Sequence, residues 1–165
     1  MTHQPAISFS ISFQFPFNRA GGRTSNVSQR MKTHVEFRSS AFPALDGEED
    51  EINPGRWGRR LADFLKRELE AEGIPTDEIY FEDWGVALPI KNEDFPMWIG
   101  CGNYEEYEDG FLCFIEPSKP VVRRLFRKID TTSRVTQVSD ALDKIFSRSS
   151  EIREVRWWTE EEQSG

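Results

Sequence analysis

Apolar positions alternate with polar ones in several short stretches of this chain and shift to helical spacing in others. Val35 and Phe37, set between His34, Glu36 and Arg38, predict a first core strand over 33–38. Trp57, Leu61, Phe64, Leu65 and Leu69 fall on one stripe at three- and four-residue steps. Asn53 suits the N-cap and Pro54 the first helical position, so a helix is expected to open there. Gly73 is its C-cap candidate and Pro75 marks the stop. Two apolar runs, 79–83 and 86–90, flank Trp84-Gly85 and read as a hairpin or one bent strand. Residues 97–102 and 111–116 read as an antiparallel pair joined by a polar stretch ending in the turn signal Asp109-Gly110. The 111–115 run is apolar on both faces, which predicts a central strand covered on both sides.

Beyond Pro117 and Pro120, Val121, Val122, Leu125 and Phe126 recur among Arg123, Arg124, Arg127 and Lys128, and a short basic amphipathic helix is predicted. Thr131-Thr132-Ser133 offers an N-cap for a second long helix with the stripe Val135, Val138, Leu142, Ile145 and Phe146. Ser149-Ser150 breaks it, and 152–158 reads as a last strand. The expected fold class is therefore α+β: one mostly antiparallel sheet of about five or six strands, with two long helices and one short helix packed on it.

Near the start, Ile7, Phe9, Ile11, Phe13, Phe15 and Phe17 also alternate with polar residues. They suit an edge strand, an apolar arm for a partner, or a loose extension ahead of Gly21-Gly22. The Arg- and Ser-rich character of this segment is also found in transit peptides, but it lacks their amphipathic helix pattern. Residues 1–30 are expected to be a disordered or misassigned extension with Met31 as an alternative start. Residues 31–158 then form a single domain and 159–165 an acidic tail.

Charge sharpens this division. The first 40 residues hold five bases against one acid, Glu36, for +4. The chain's net charge is −8, so the other residues carry −12. Such a balance argues against nucleic acid as a partner. No apolar run reaches the ~20 residues of a membrane helix, and no membrane contact is expected. Two cysteines and two histidines are a poor supply for a zinc site or a disulfide framework. A reducing cytoplasm is the expected compartment, with no cofactor and no metal.

Two readings of the chemistry follow. In the first, the acidic run 46–51 and the segment 104–109 mix carboxylates with aromatics, as a surface for a basic protein would. Asp46, Glu48, Glu49, Glu105, Glu106 and Glu108 are the candidate steering groups; Tyr104, Tyr107 and Trp158 are the candidate anchors. In the second, Gly100-Cys101-Gly102 lets a ligand approach the backbone. A small-enzyme or ligand pocket would then be lined by Glu82, Asp83, Cys101, Asn103 and Glu116. Cys101 and Cys113 could face each other across the hairpin as buried thiols. Phosphate-loop, dinucleotide and serine-hydrolase motifs are all absent.

The segments INPGRWG at 52–58, EDWG at 82–85, WIGCGNY at 98–104 and FLCFIEPSKP at 111–120 resemble a group of small acidic bacterial proteins with no assigned activity. The resemblance runs from Met31 to about residue 162. It implies a compact α+β domain and no catalytic residues. In size, acidity and α+β character the chain is also similar to immunity proteins that neutralise bacterial toxins. The first reading, a non-enzymatic cytoplasmic interaction protein, possesses the larger set of candidate residues.

Overall fold

A computed structural model describes residues 31–104, 106–159 and 162. The alternating stretch 7–17, the rest of the 1–30 extension, Glu105 and most of the acidic tail lie outside the described residues. The chain is α+β, as its patterning predicts. Six strands form one sheet in the order β2-β3-β4-β5-β1-β8, with every neighbouring pair antiparallel. They are β1 (His34–Arg38), β2 (Tyr80–Glu82), β3 (Gly85–Ile90), β4 (Met97–Asn103), β5 (Gly110–Glu116) and β8 (Arg153–Trp158). The helices are α1 (Glu48–Glu51), α2 (Arg59–Ala71) and α3 (Thr132–Arg148). Both long helices cover one face, α2 against β3 and β4 and α3 against β5, and they touch each other.

Alternation decides which side chains meet the helices. Val35, Cys113, Cys101 and Val86 stand in register across four strands and are all buried. Phe37, Phe111 and Phe146 join them, the Phe37 and Phe146 rings lying 4.8 Å apart. Each such side chain contributes roughly 1.5–3 kcal/mol by leaving water. The opposite face carries a second aromatic layer. Trp84 stacks on Trp98 at 5.6 Å, both meet Phe114, and Phe114 stacks on His34 at 5.9 Å. Thus β5 is central as predicted, but its second face is covered by rings from its own sheet.

The helix ends depart from prediction at one terminus and match it at another. Asn53-Pro54-Gly55-Arg56 is a turn, with Arg56 N–H donating to the Asn53 carbonyl at 2.9 Å and Gly55 at φ +77°. Proline followed by a left-handed glycine is the type II pattern, and it outcompetes the helix start expected at Pro54. Helix α2 begins five residues later. Its other end follows the sequence. Gly73 is left-handed at φ +78°, its N–H bonds the Glu70 carbonyl, and Ile74 N–H bonds that of Leu69 at 2.9 Å. That is the paired bonding of a Schellman cap.

The basic helix predicted over 121–128 is instead a two-stranded hairpin, β6 (Val121–Arg124) and β7 (Arg127–Asp130). The apolar residues are spaced as in a helix, and long-range packing overrides that spacing. Val122 and Ile129 face each other and pack on the core. Arg124 donates to the carbonyls of Glu93 and Asp94, and Thr131 N–H closes on the Pro120 carbonyl at 3.0 Å. The two-residue turn holds Leu125 at φ +45° and Phe126 at φ +67°. Both values are those a type I′ turn requires, where asparagine and glycine are usual. Left-handed backbone costs an ordinary L-residue roughly 1–2 kcal/mol. The short helix of the predicted inventory is supplied by α1, within the acidic run.

Candidate interaction surface

Antiparallel pairing sorts the loops to two ends of the sheet. The C-terminal end of β4 meets the N-terminal ends of β3 and β5 and the C-terminal end of β1. The 46–58 segment is tied to the same end. Asn53 donates through Nδ2 to the Asp83 carbonyl at 2.6 Å, and Gly58 packs on the Cys101 carbonyl. Three acidic segments far apart in sequence are thereby collected. Asp46, Glu49, Asp50 and Glu51 come from the first, Glu82 and Asp83 from the β2–β3 turn, and Glu106 and Glu108 from the β4–β5 loop; all are exposed. Arg56, Arg59 and Arg60 lie at the start of α2 among them, and Arg59 pairs with Asp63 at 3.1 Å.

Two residues predicted for this surface are placed elsewhere. Glu48 is only 4% exposed. Its Oε1 accepts the N–H groups of Gly58 at 2.8 Å and Arg59 at 2.6 Å, and its Oε2 accepts that of Leu45 at 2.9 Å. It is a capping carboxylate for α2, supplied from ten residues upstream because glycine at position 58 has no side chain to do so. Trp158 is 8% exposed and lies beneath Arg156, whose guanidinium sits 4.8 Å from the ring. Its place beside the acidic tail predicts a surface anchor, but the structure buries it at the end of β8, opposite His34 of β1.

Beside the acidic end, charge and aromatics are interleaved. Asp109 accepts from Arg38 Nε at 2.8 Å and is also paired with Arg153. These two guanidiniums hold its carboxyl below the ordinary carboxylate range. Arg38 also lies 4.4 Å from the Tyr107 ring, which is 42% exposed and meets Tyr104 edge-on. Glu36 pairs with Arg156 at 3.0 Å and hydrogen-bonds Tyr104. Burial pushes the Glu36 carboxyl up, and burial beside Glu36 pushes the Tyr104 phenol well up. Tyr107 is thus a fixed, accessible ring, and Tyr104 its half-buried support.

The alternative pocket at Gly100-Cys101-Gly102 is filled by the protein itself. A Cβ on Gly100 would lie 2.3 Å from the Phe114 ring, and one on Gly102 would lie 3.2 Å from the Trp84 carbonyl. These glycines admit an aromatic ring and a backbone oxygen. Cys101 is fully buried opposite Cys113, and both are free thiols. Burial raises the Cys113 thiol well above its usual value, followed by its hydrogen bond to Cys101, which makes it a poor nucleophile. Asn103 is a clamp: its side chain accepts from Trp57 N–H at 2.9 Å and donates to the Gly55 carbonyl at 3.0 Å. Glu82 and Asp83 are exposed at the acidic end, whereas Glu116 closes on Ser118 N–H at the other end of β5. The five do not converge.

Among the described residues, no group of three or more His, Cys, Asp or Glu could hold a metal ion. None of their helices is long and apolar enough to cross a membrane. The ring cluster Trp84–Trp98–Phe114 was not legible as a unit, since its members fall on three elements. Gly100 opposite Phe114 was the one available signal, because a glycine within a strand marks a close approach. No protein-family model, curated protein or solved structure matches the chain.

Proposed function

We propose that this chain is a non-enzymatic, cytoplasmic interaction protein that binds a basic protein partner at the acidic end of its sheet, in the manner of toxin-immunity proteins. One observation carries the reading: the fold collects three separate acidic segments at one end of the sheet, the end from which Tyr107 is exposed beside Arg38. The exposed carboxylates steer a cationic surface, and the ring supplies contact area at low entropic cost. Asp46, Glu49, Glu106, Glu108 and Tyr107 form the contact set, with Glu105 beside them in sequence. Cys101 and Asn103 serve packing, which leaves the pocket reading without its central groups.

The test is native mass spectrometry of the full chain purified from its source cells, beside the Glu49→Lys/Glu106→Lys variant. The expected result is a stoichiometric basic polypeptide that leaves at high salt and is missing from the variant. A bare chain, or a partner retained equally by the variant, overturns the proposal.

A further inference from the structure

The β6–β7 hairpin lies at the end of the sheet opposite the acidic loops. It follows the C-terminal end of β5 and is fastened to the 93–94 backbone between β3 and β4. At its tip Leu125 is 85% exposed and Phe126 107% exposed, the most exposed large apolar side chains described. Arg123, Arg127 and Lys128 flank them and are exposed as well. Over residues 117–134 the chain holds six bases against one acid, Asp130, in a protein of net charge −8.

We infer that this hairpin docks the protein on an anionic lipid surface, with Leu125 and Phe126 entering the interface and the flanking cations meeting lipid phosphates. Three observations converge. The two apolar side chains are presented at left-handed backbone positions that asparagine and glycine would occupy with less strain, so the turn's own geometry does not call for them. The tip is convex, so it needs a partner that yields around it, and a fluid interface does. Its charge is opposite to that of an anionic membrane, and basic groups next to inserted apolar ones are the combination that holds peripheral proteins there. Asp130 lies at the hairpin's base opposite Val121, whereas the exposed Glu93 and Asp94 lie beside Arg124, next to the tip, and offset part of the local charge. The sequence hid this arrangement by spacing the same residues as a helix.

The experiment is co-sedimentation of the full chain with phosphatidylcholine vesicles, with and without about 30 mol% phosphatidylglycerol. The Leu125→Asn/Phe126→Gly variant provides the comparison. Its turn residues suit the backbone better than the native pair, so it should fold with equal or higher thermal stability. The wild type should bind anionic vesicles at least about tenfold more strongly than neutral ones, and the variant should lose about tenfold of that binding. Added salt should weaken the wild type's binding. Absence of binding to anionic vesicles, equal binding to both vesicle types, or a variant that binds like the wild type overturns the inference. So does tip-dependent binding to single-stranded RNA with none to vesicles.

Discussion

Glu48 and Glu49 are neighbours of identical chemistry, and the structure gives them opposite consequences. Replacing Glu48 with alanine removes the acceptor of three backbone N–H groups, at 2.6, 2.8 and 2.9 Å. One of them, on Gly58, is buried, and leaving such a donor without a partner costs about 1–3 kcal/mol. Loss of the charged cap at the start of α2 adds about 0.5–1 kcal/mol. The release of Leu45 adds a further fraction. A total near 3 kcal/mol follows, which is about 6–12 °C in melting temperature for a chain of this size. Glu48→Gln keeps one oxygen for Gly58 and Arg59 but turns an NH2 group toward Leu45 N–H, so about half the loss is expected. Glu49→Ala, on an exposed side chain, should stay within about 0.5 kcal/mol of the parent. Urea unfolding followed by tryptophan fluorescence measures all three, and the cap reading requires a shifted midpoint with an unchanged slope. If Glu48→Ala and Glu49→Ala agree within about 0.5 kcal/mol, Glu48 is not the cap.

Other substitutions probe the remaining contacts. Gly100→Ala should cost about 1–3 kcal/mol, because its methyl group would meet the Phe114 ring, and adding Phe114→Leu should recover part of the loss; no recovery would separate the two residues. Cys101 and Cys113 should resist a thiol reagent in the native chain and both react in urea, whereas one fast native thiol would contradict their burial. Asp109 has a folded pKa below its unfolded one, so its stabilisation is present above about pH 4 and is lost as pH falls through the folded value. The stability gap between the parent and Asp109→Asn should therefore close on acidification, and a gap independent of pH would rule out the ion pairs with Arg153 and Arg38 as its source.

What the sequence disclosed, and what it withheld, follows from the range of the forces involved. Strand alternation and the stripes of α2 and α3 are local, so Val35, Phe37, Leu61, Leu65, Leu142 and Ile145 were assigned to the core correctly. The Schellman cap at Gly73 is equally local. The start of α2 is not, because its cap is Glu48, reaching across a loop to Gly58 and Arg59. Residues 121–128 carry helical spacing and no strand alternation. Their hairpin is selected by Val122 and Ile129 meeting the core and by Arg124 meeting the 93–94 carbonyls. Acidic segments were visible one by one, but only antiparallel pairing brings 46–51, 82–83 and 106–108 to one end of the sheet. The same pairing that supplies this end buries Trp158 beside β1 and fills the glycine space at 100.

The acidic loops and the basic hairpin lie at opposite ends of the strands, and that bears on both proposals. The seven residues of β5 separate the acidic loops from the root of the β6–β7 hairpin. At about 3.3 Å per residue that is roughly 20 Å, more than two Debye lengths in physiological salt. Exposed charges that far apart are largely screened from each other, so a net charge of −8 does not prevent one corner from acting as a cation. The two ends should consequently behave as independent sites. Charge reversal at Glu106 should alter partner association without changing vesicle binding, and replacement of Leu125 and Phe126 should do the reverse. A chain held at a lipid surface by its hairpin would direct its acidic end away from that surface, where repulsion from anionic headgroups is weakest and a basic partner has free access.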